Sequence, residues 1–116
     1  MTDALRRLIG APTESESIRN SLQALLTTLP GQRRSRPEYG CDISSLLFEP
    51  VESDLLEEML RRIRNAIWRY ERRIELIDVR ARAQDPGIGS VLVKIDYSVR
   101  SSGERAQLAV QIHGFG

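Results

Sequence analysis

A chain of 116 residues fits one domain by the usual size relation, with room for a modest core and not for two. Apolar content of 41% and charged content of 28% are ordinary for a globular protein, which argues against disordered, collagenous and membrane-spanning classes. A formal net charge of +1 excludes a global electrostatic pull toward nucleic acid or an anionic membrane.

Residues 1–14 read as a poorly defined N-terminal extension of a single domain covering 1–116. Within it Thr2–Ile9 has the pattern of a short helix ended by Gly10, although a helix that short is marginal alone. The stretch MTDALRRLIGAPTESES holds no apolar core of signal-peptide length. No run approaches the roughly 20 apolar residues of a membrane helix, so direct membrane insertion is not expected. Ala11-Pro12 breaks the chain. Thr13 and Glu16 then form a T-x-x-E capping box. The helix it opens runs to about Leu29, with Ile18, Leu22, Leu25, Leu26 and Leu29 on one face, and Pro30-Gly31 stops it.

Gln32–Pro37 (QRRSRP) is polar and basic. No aromatic residues interleave for base stacking, which favours a solvated connector over a nucleic-acid patch. Glu38–Asp42 is turn-prone. Ile43, Leu46, Leu47 and Phe48 follow as an apolar plug, and Glu49-Pro50 leads into the longest helical pattern. There Ser53 is a candidate N-cap, with Asp54, Glu57 and Glu58 near the positive end of the helix dipole. Leu56, Met59, Leu60, Ile63, Ala66, Ile67 and Tyr70 recur at steps of three and four. Arg69, Arg72 and Arg73 sit near the other end, where cations are favoured.

After Arg73 the period changes from 3.6 to 2. Ile77, Val79 and Ala81 are expected to face the core, while Asp78, Arg80 and Arg82 face out. This first strand spans about Ile74 to Ala83, and Gln84–Gly89 is its turn. The second strand, Ser90–Val99, turns Val91, Val93, Ile95, Tyr97 and Val99 one way. Ser101–Glu104 makes a hairpin, and a third strand of about Arg105–Ile112 follows with Leu108, Val110 and Ile112 inward. His113–Gly116 reads as a loose tail. The layout is an α+β fold: N-terminal helices packed on one face of a three-stranded antiparallel meander. The other face carries Asp78, Arg80, Arg82, Lys94, Asp96 and Arg100, whose opposite charges can pair across strands. Such a sheet leaves two edges open to a strand from another chain.

Chemistry-bearing residues are sparse. There is no Gly-rich phosphate loop, G-x-S-x-G or HExxH, and no cofactor or metal set is indicated. His113 is the only histidine and Cys41 the only cysteine. A nucleophilic Cys41 would need a nearby base, so a buried thiol is the simpler reading; its solitude also suits a reducing cytoplasm. Glu71 with Glu75, and Glu38 with Asp42, are the carboxylate pairs a glycosidase could use. Glu71 lies beside Arg72 and Arg73, however, and adjacent positive charge works against a general acid. A structural ion pair suits it better. Lys94 is the only lysine, every other basic residue being arginine; arginine suits bidentate pairs and interfaces, but codon bias in a GC-rich genome is the simpler reading.

Three pieces stand in order along the chain. The first is Ser17-Ile18-Arg19-Asn20-Ser21-Leu22, continuing through Pro30-Gly31-Gln32-Arg33. The second is Arg36-Pro37-Glu38-Tyr39-Gly40-Cys41-Asp42, followed by Leu46-Leu47-Phe48-Glu49-Pro50. The third is Ile63-x-x-Ala66-Ile67-x-x-Tyr70-Glu71-Arg72-Arg73-Ile74. Together they resemble the baseplate wedge family of contractile phage tails, often labelled gene 25-like lysozyme, which includes the TssE subunit of type VI secretion. The family's hallmark is Glu-Pro-Arg; here Arg72 stands where the proline would be. The resemblance implies a structural protein, cytoplasmic and assembled into a baseplate or virion tail. Its implied partners are other wedge subunits and the sheath protein, without nucleic acid. It also implies that Glu71, Arg72 and Arg73 form an interaction motif, joined by the turn Pro37-Glu38-Tyr39-Gly40. The third strand, around Leu108, Val110 and Ile112, becomes the edge on which sheath is laid down. The family label keeps one alternative open, a peptidoglycan-cleaving tail lysozyme whose acid would be Glu71 or Glu38.

Overall fold

The computed structural model describes residues 10, 13–48, 53–85 and 89–113; the Thr2–Ile9 helix, the Pro86–Ile88 turn and the last three residues lie outside them. Thr13 opens the first helix, α1 (Glu14–Thr27), by accepting the Glu16 N–H on its Oγ1 at 3.2 Å. This satisfies one of the amides a helix start leaves unpaired. Ile18, Leu22, Leu25 and Leu26 are buried, as their spacing required. The helix stops at Thr27, two residues short of the expected Leu29. Thr27 and Thr28 turn their hydroxyls back onto the carbonyls of Gln23 and Ala24, and Pro30 disfavours helical backbone at Leu29.

A 3-10 helix, Ser44–Phe48, carries Leu47 into the core beside Ile43. Helix α2 (Ser53–Tyr70) follows. It begins at Ser53 itself, so the residue that caps it lies outside the described segment. Its apolar stripe is the one the periodicity marks: Met59, Ile63, Ala66 and Ile67 are buried, and Leu56, Leu60 and Tyr70 pack beside them. Arg62 leaves this stripe to donate to the Asp42 carbonyl at 2.7 Å and to Glu58 at 3.1 Å, which ties α2 to the loop before the 3-10 helix.

Strands β1 (Ile74–Asp85), β2 (Ser90–Val99) and β3 (Arg105–His113) form an antiparallel meander in the order β1-β2-β3. The helices cover one face: α2 packs on β1, and α1 packs on α2 and β3. Val91, Val93, Ile95, Tyr97 and Val99 of β2, with Leu108, Val110 and Ile112 of β3, form the sheet side of the core.

Two expectations about the strands need correction. Ile77 does not face the core; it is 44% exposed. Leu76 pairs with Tyr97 and Asp78 with Asp96, so Ile77 is an extra residue in a β-bulge. Leu76 takes the inward place, and the alternation resumes one step later with buried Val79. His113 is not part of a loose tail. It ends β3 opposite Ser90, because the β2–β3 register continues unbroken to that pair. On the open face Arg80 reaches Asp78 at 3.4 Å and Asp96 at 3.6 Å, bridging two carboxylates that the register sets opposite each other. At this exposure the pairs are worth at most about 1 kcal/mol each, and they fix charge order more than stability.

The turn Pro37–Gly40 is packed against the end of α1. The Cys41 N–H donates to the Thr28 carbonyl at 2.9 Å, and the Gly31 N–H to the Pro37 carbonyl at 2.6 Å. Gly40 has φ +130°, and a Cβ there would collide with the Thr28 carbonyl oxygen. Both the backbone and the space demand glycine. Gly40→Ala is therefore expected to destabilise the fold by about 2–4 kcal/mol, combining strained backbone with a forced shift. Urea unfolding of the variant measures it, and a loss below about 1 kcal/mol would contradict this account of the turn.

Candidate functional site

The helix-to-strand corner is built around one ion pair. Glu71 ends the turn after α2, its N–H still bonded to the Ile67 carbonyl at 2.9 Å. Its side chain is 5% exposed. Arg73 faces it two residues on: Nε donates to Oε1 at 2.8 Å and Nη2 to Oε2 at 2.9 Å, a bidentate pair. The same guanidinium donates to Ser17 Oγ and Ser21 Oγ, both at 3.0 Å. One side chain thus joins α1, the end of α2 and the start of β1. Bonding to Glu71 raises Arg73 above the ordinary guanidinium pKa. Both Glu71 oxygens are engaged by a cation, the arrangement of a carboxylate and not of an acid with a proton to give.

The turn Pro37–Gly40 lies against this corner. Tyr39 is buried and meets the Tyr70 ring edge-on at 5.2 Å. The Tyr70 hydroxyl donates to the Glu38 carbonyl at 2.9 Å. Arg33 lies over the Tyr39 ring at 4.2 Å, Arg36 lies 5.4 Å from Tyr39 and 5.2 Å from Tyr70, and Arg69 lies 5.1 Å from Tyr70. These are cation–π distances. The basic connector is solvated as expected, residues 31–38 all being exposed, and two of its arginines, Arg33 and Arg36, also lie over the tyrosine rings. Together Arg33, Arg36, Arg72 and Arg73 line a cleft of about 360 Å³ whose one carboxylate, Glu71, is already paired. Its chemistry suits acidic side chains of another protein.

The third candidate region lies apart from the corner, on β3. The Val99 N–H donates to the Glu104 carbonyl at 2.8 Å, which marks that pair as hydrogen-bonded. Pairs alternate along an antiparallel ladder, so Leu108, Val110 and Ile112 turn their amides to β2 and their side chains to the core. Gln107, Ala109 and Gln111 point theirs outward. The Gln107 carbonyl agrees: it accepts from Arg19 Nη1 of α1 at 3.0 Å. The groups open to another strand are those of the odd-numbered residues.

The family model described as baseplate wedge protein gp25 matches residues 13–104. The chain belongs to this family. It is 44% identical over 66 residues to baseplate wedge protein gp25 of Enterobacteria phage T4, a match covering 54% of this chain and 48% of that protein. The chain thus spans about half of that relative's length. Its fold matches a Geobacter sulfurreducens protein provisionally named a tail lysozyme, with TM-score 0.82, 30% identity, and 90% of this chain and 95% of that one covered. It also matches a chain of the type VI secretion baseplate complex (TM-score 0.71, 17% identity, 99% and 100% covered). A chain of the post-contraction pyocin R2 baseplate matches with TM-score 0.55 and 24% identity over 85% and 84%. At the last two identities the likeness is one of fold.

Where the family resemblance leads one to look for proline, Arg72 is exposed and lies over the Trp68 ring at 5.1 Å. With arginine at position 72 the Glu71–Arg73 pair is formed. Sequence reasoning did not pick out Trp68, Arg33 or the Ser17/Ser21 pair as site residues. A signal existed for two of them: Trp68 falls off the apolar stripe of α2, and Ser17 and Ser21 are one helical turn apart beside Ile18 and Leu22.

Cys41 is buried, and burial pushes its thiol up to about 12, against the lesser opposing effect of Arg62. It is no nucleophile at neutral pH. An unfolded chain loses this proton near the ordinary value of 9.0 while the fold keeps it to about 12. The thiol's contribution is full below the lower value and stability falls as pH rises between the two. Alkylation of Cys41 by iodoacetamide at mildly alkaline pH is expected only as fast as the chain opens; labelling faster than unfolding would refute the burial. For the corner, Arg73→Ala strands the Glu71 carboxylate and is expected to cost about 2–3 kcal/mol in urea unfolding, with Arg73→Lys intermediate. Equal stability of all three proteins would remove the pair as the junction's fastening.

Proposed function

We propose that this protein is a structural subunit of the baseplate wedge of a contractile injection apparatus. In this reading it holds neighbouring wedge subunits through the arginine-lined corner and offers the outer edge of β3 to a strand of the sheath. The family supports the baseplate role. The observation that carries the mechanism is the row of outward amides at Gln107, Ala109 and Gln111, because an unpaired edge recruits another strand through main-chain hydrogen bonds. Arg19 at the Gln107 carbonyl acts as a guard, satisfying one edge acceptor until a strand replaces it.

The Pro37–Gly40 turn and the Glu71–Arg73 corner serve together, because Tyr39 and Tyr70 join them into one rigid surface. Peptidoglycan cleavage, suggested by the name of the Geobacter relative, finds no such support. Glu71 is committed to Arg73, and Glu38 is exposed, its backbone carbonyl accepting from the Tyr70 hydroxyl.

Proline substitution separates edge from fold. Ala109→Pro removes an outward N–H and leaves the β2–β3 bonds intact, so stability should change by no more than about 1 kcal/mol. Sheath should fail to assemble on baseplates carrying it. Val110→Pro breaks a bond to β2 and should destabilise the protein by about 3 kcal/mol or more. Electron microscopy of tails from cells carrying each variant gives the readout. Sheaths of normal length on Ala109→Pro baseplates would sink the β3-edge mechanism.

A further inference from the structure

Beside the corner, between the last turns of α2 and the start of β1, lies a groove of about 620 Å³. That volume is within the range of binding clefts. Its lining divides by chemistry. Trp68, Ile67, Ile74 and Leu76 form an apolar floor and wall, and Arg64, Arg72 and Arg100 stand around it.

Trp68 is 73% exposed, the most exposed large hydrophobic side chain among the described residues. It makes no contribution to the α2 stripe that faces the sheet. Arg72 holds one side of it at 5.1 Å. Arg100 is anchored by donating its Nε to the Ile74 carbonyl at 3.0 Å. Among the described residues, Arg64, Arg72 and Arg100 form no ion pair. The groove's only carboxylate, Glu71, has both oxygens on Arg73. The result is a positive rim with no internal counter-charge, around an exposed tryptophan. Tryptophan and arginine are the residue types that dominate binding energy at protein interfaces.

We propose that this groove docks an acidic segment of a partner protein, seating an apolar side chain against Trp68 with flanking carboxylates on Arg64 and Arg72. Charge complementarity selects the occupant. A second copy of the chain, with its net charge of +1, brings no general excess of negative charge. A nucleic acid would need further aromatic platforms beside Trp68, and the groove has none. The surface is separate from the β3 edge, on the opposite side of the meander. It therefore gives the subunit a contact independent of strand addition.

Trp68 is the only tryptophan in the chain, so its fluorescence reports on this groove alone. The purified full chain is titrated with a capped peptide, Glu-Glu-Leu-Phe-Glu-Glu, and with its lysine-for-glutamate counterpart. The acidic peptide should shift Trp68 emission saturably, less so as salt rises; the lysine peptide should not. Arg64→Glu and Arg72→Glu change exposed side chains, and circular dichroism checks that they remain folded. Each should weaken acidic-peptide binding at least about tenfold. No emission change at millimolar peptide would overturn the proposal, as would a shift that survives both charge reversals. Binding of single-stranded oligothymidylate in place of the acidic peptide would also overturn it. The readout needs no sheath or baseplate, so its failure is distinct from a failure of the β3-edge mechanism.

Discussion

The pair between Glu71 and Arg73 is the constraint on which the rest of the arrangement depends. A buried carboxylate is costly unless its charge is met and its oxygens are bonded. Here one guanidinium meets both requirements and gives two of its three remaining N–H groups to Ser17 and Ser21 of α1. Without those serines Arg73 would staple only the corner; with them it sets the position of α1 as well. Since α1 carries Arg19 to β3, the corner and the distant edge are joined by one rigid helix.

This explains why the corner tolerates Arg72 in the middle of its motif. A proline there would restrict φ and remove an N–H, stiffening the turn through the backbone. In this chain the side-chain pair does the stiffening. The backbone adds its share, with the Arg73 N–H 3.3 Å from Glu71 Oε1 and the Arg100 N–H donating to the Arg73 carbonyl at 2.9 Å. Freed from a backbone role, position 72 can present a cation to Trp68.

Most of the architecture was legible because hydrophobic periodicity is a strong signal where one face is buried. The stripes of α1 and α2 and the alternation of β2 all lie as their spacing required. The failures have physical causes. Ile77 was misread because a bulge inserts a residue without changing composition; only the partner strand reveals that Leu76 and Asp78 take consecutive places on β2. The ring contacts of Arg33 and Arg36 went unforeseen because Gln32–Pro37 contains no aromatic residue; the rings come from Tyr39 and, in space, from Tyr70. Contacts between segments far apart in sequence leave little trace in either one. The Glu71–Arg73 pair was legible for the opposite reason, being local.

The two sides of the sheet carry different means of attachment. The β3 edge presents main-chain groups, which accept strands with little regard for sequence, and Arg19 occupies one of them, the Gln107 carbonyl. The β1 side presents side chains, Trp68 among uncompensated arginines, and these discriminate by charge and shape. The proposed wedge role, one partner contact together with strand addition, would use both kinds of surface. Selective contact belongs at the rigid corner, where Arg73 holds three elements together. The proposed strand addition would fall at the far edge, where a new strand could pair without disturbing that fastening.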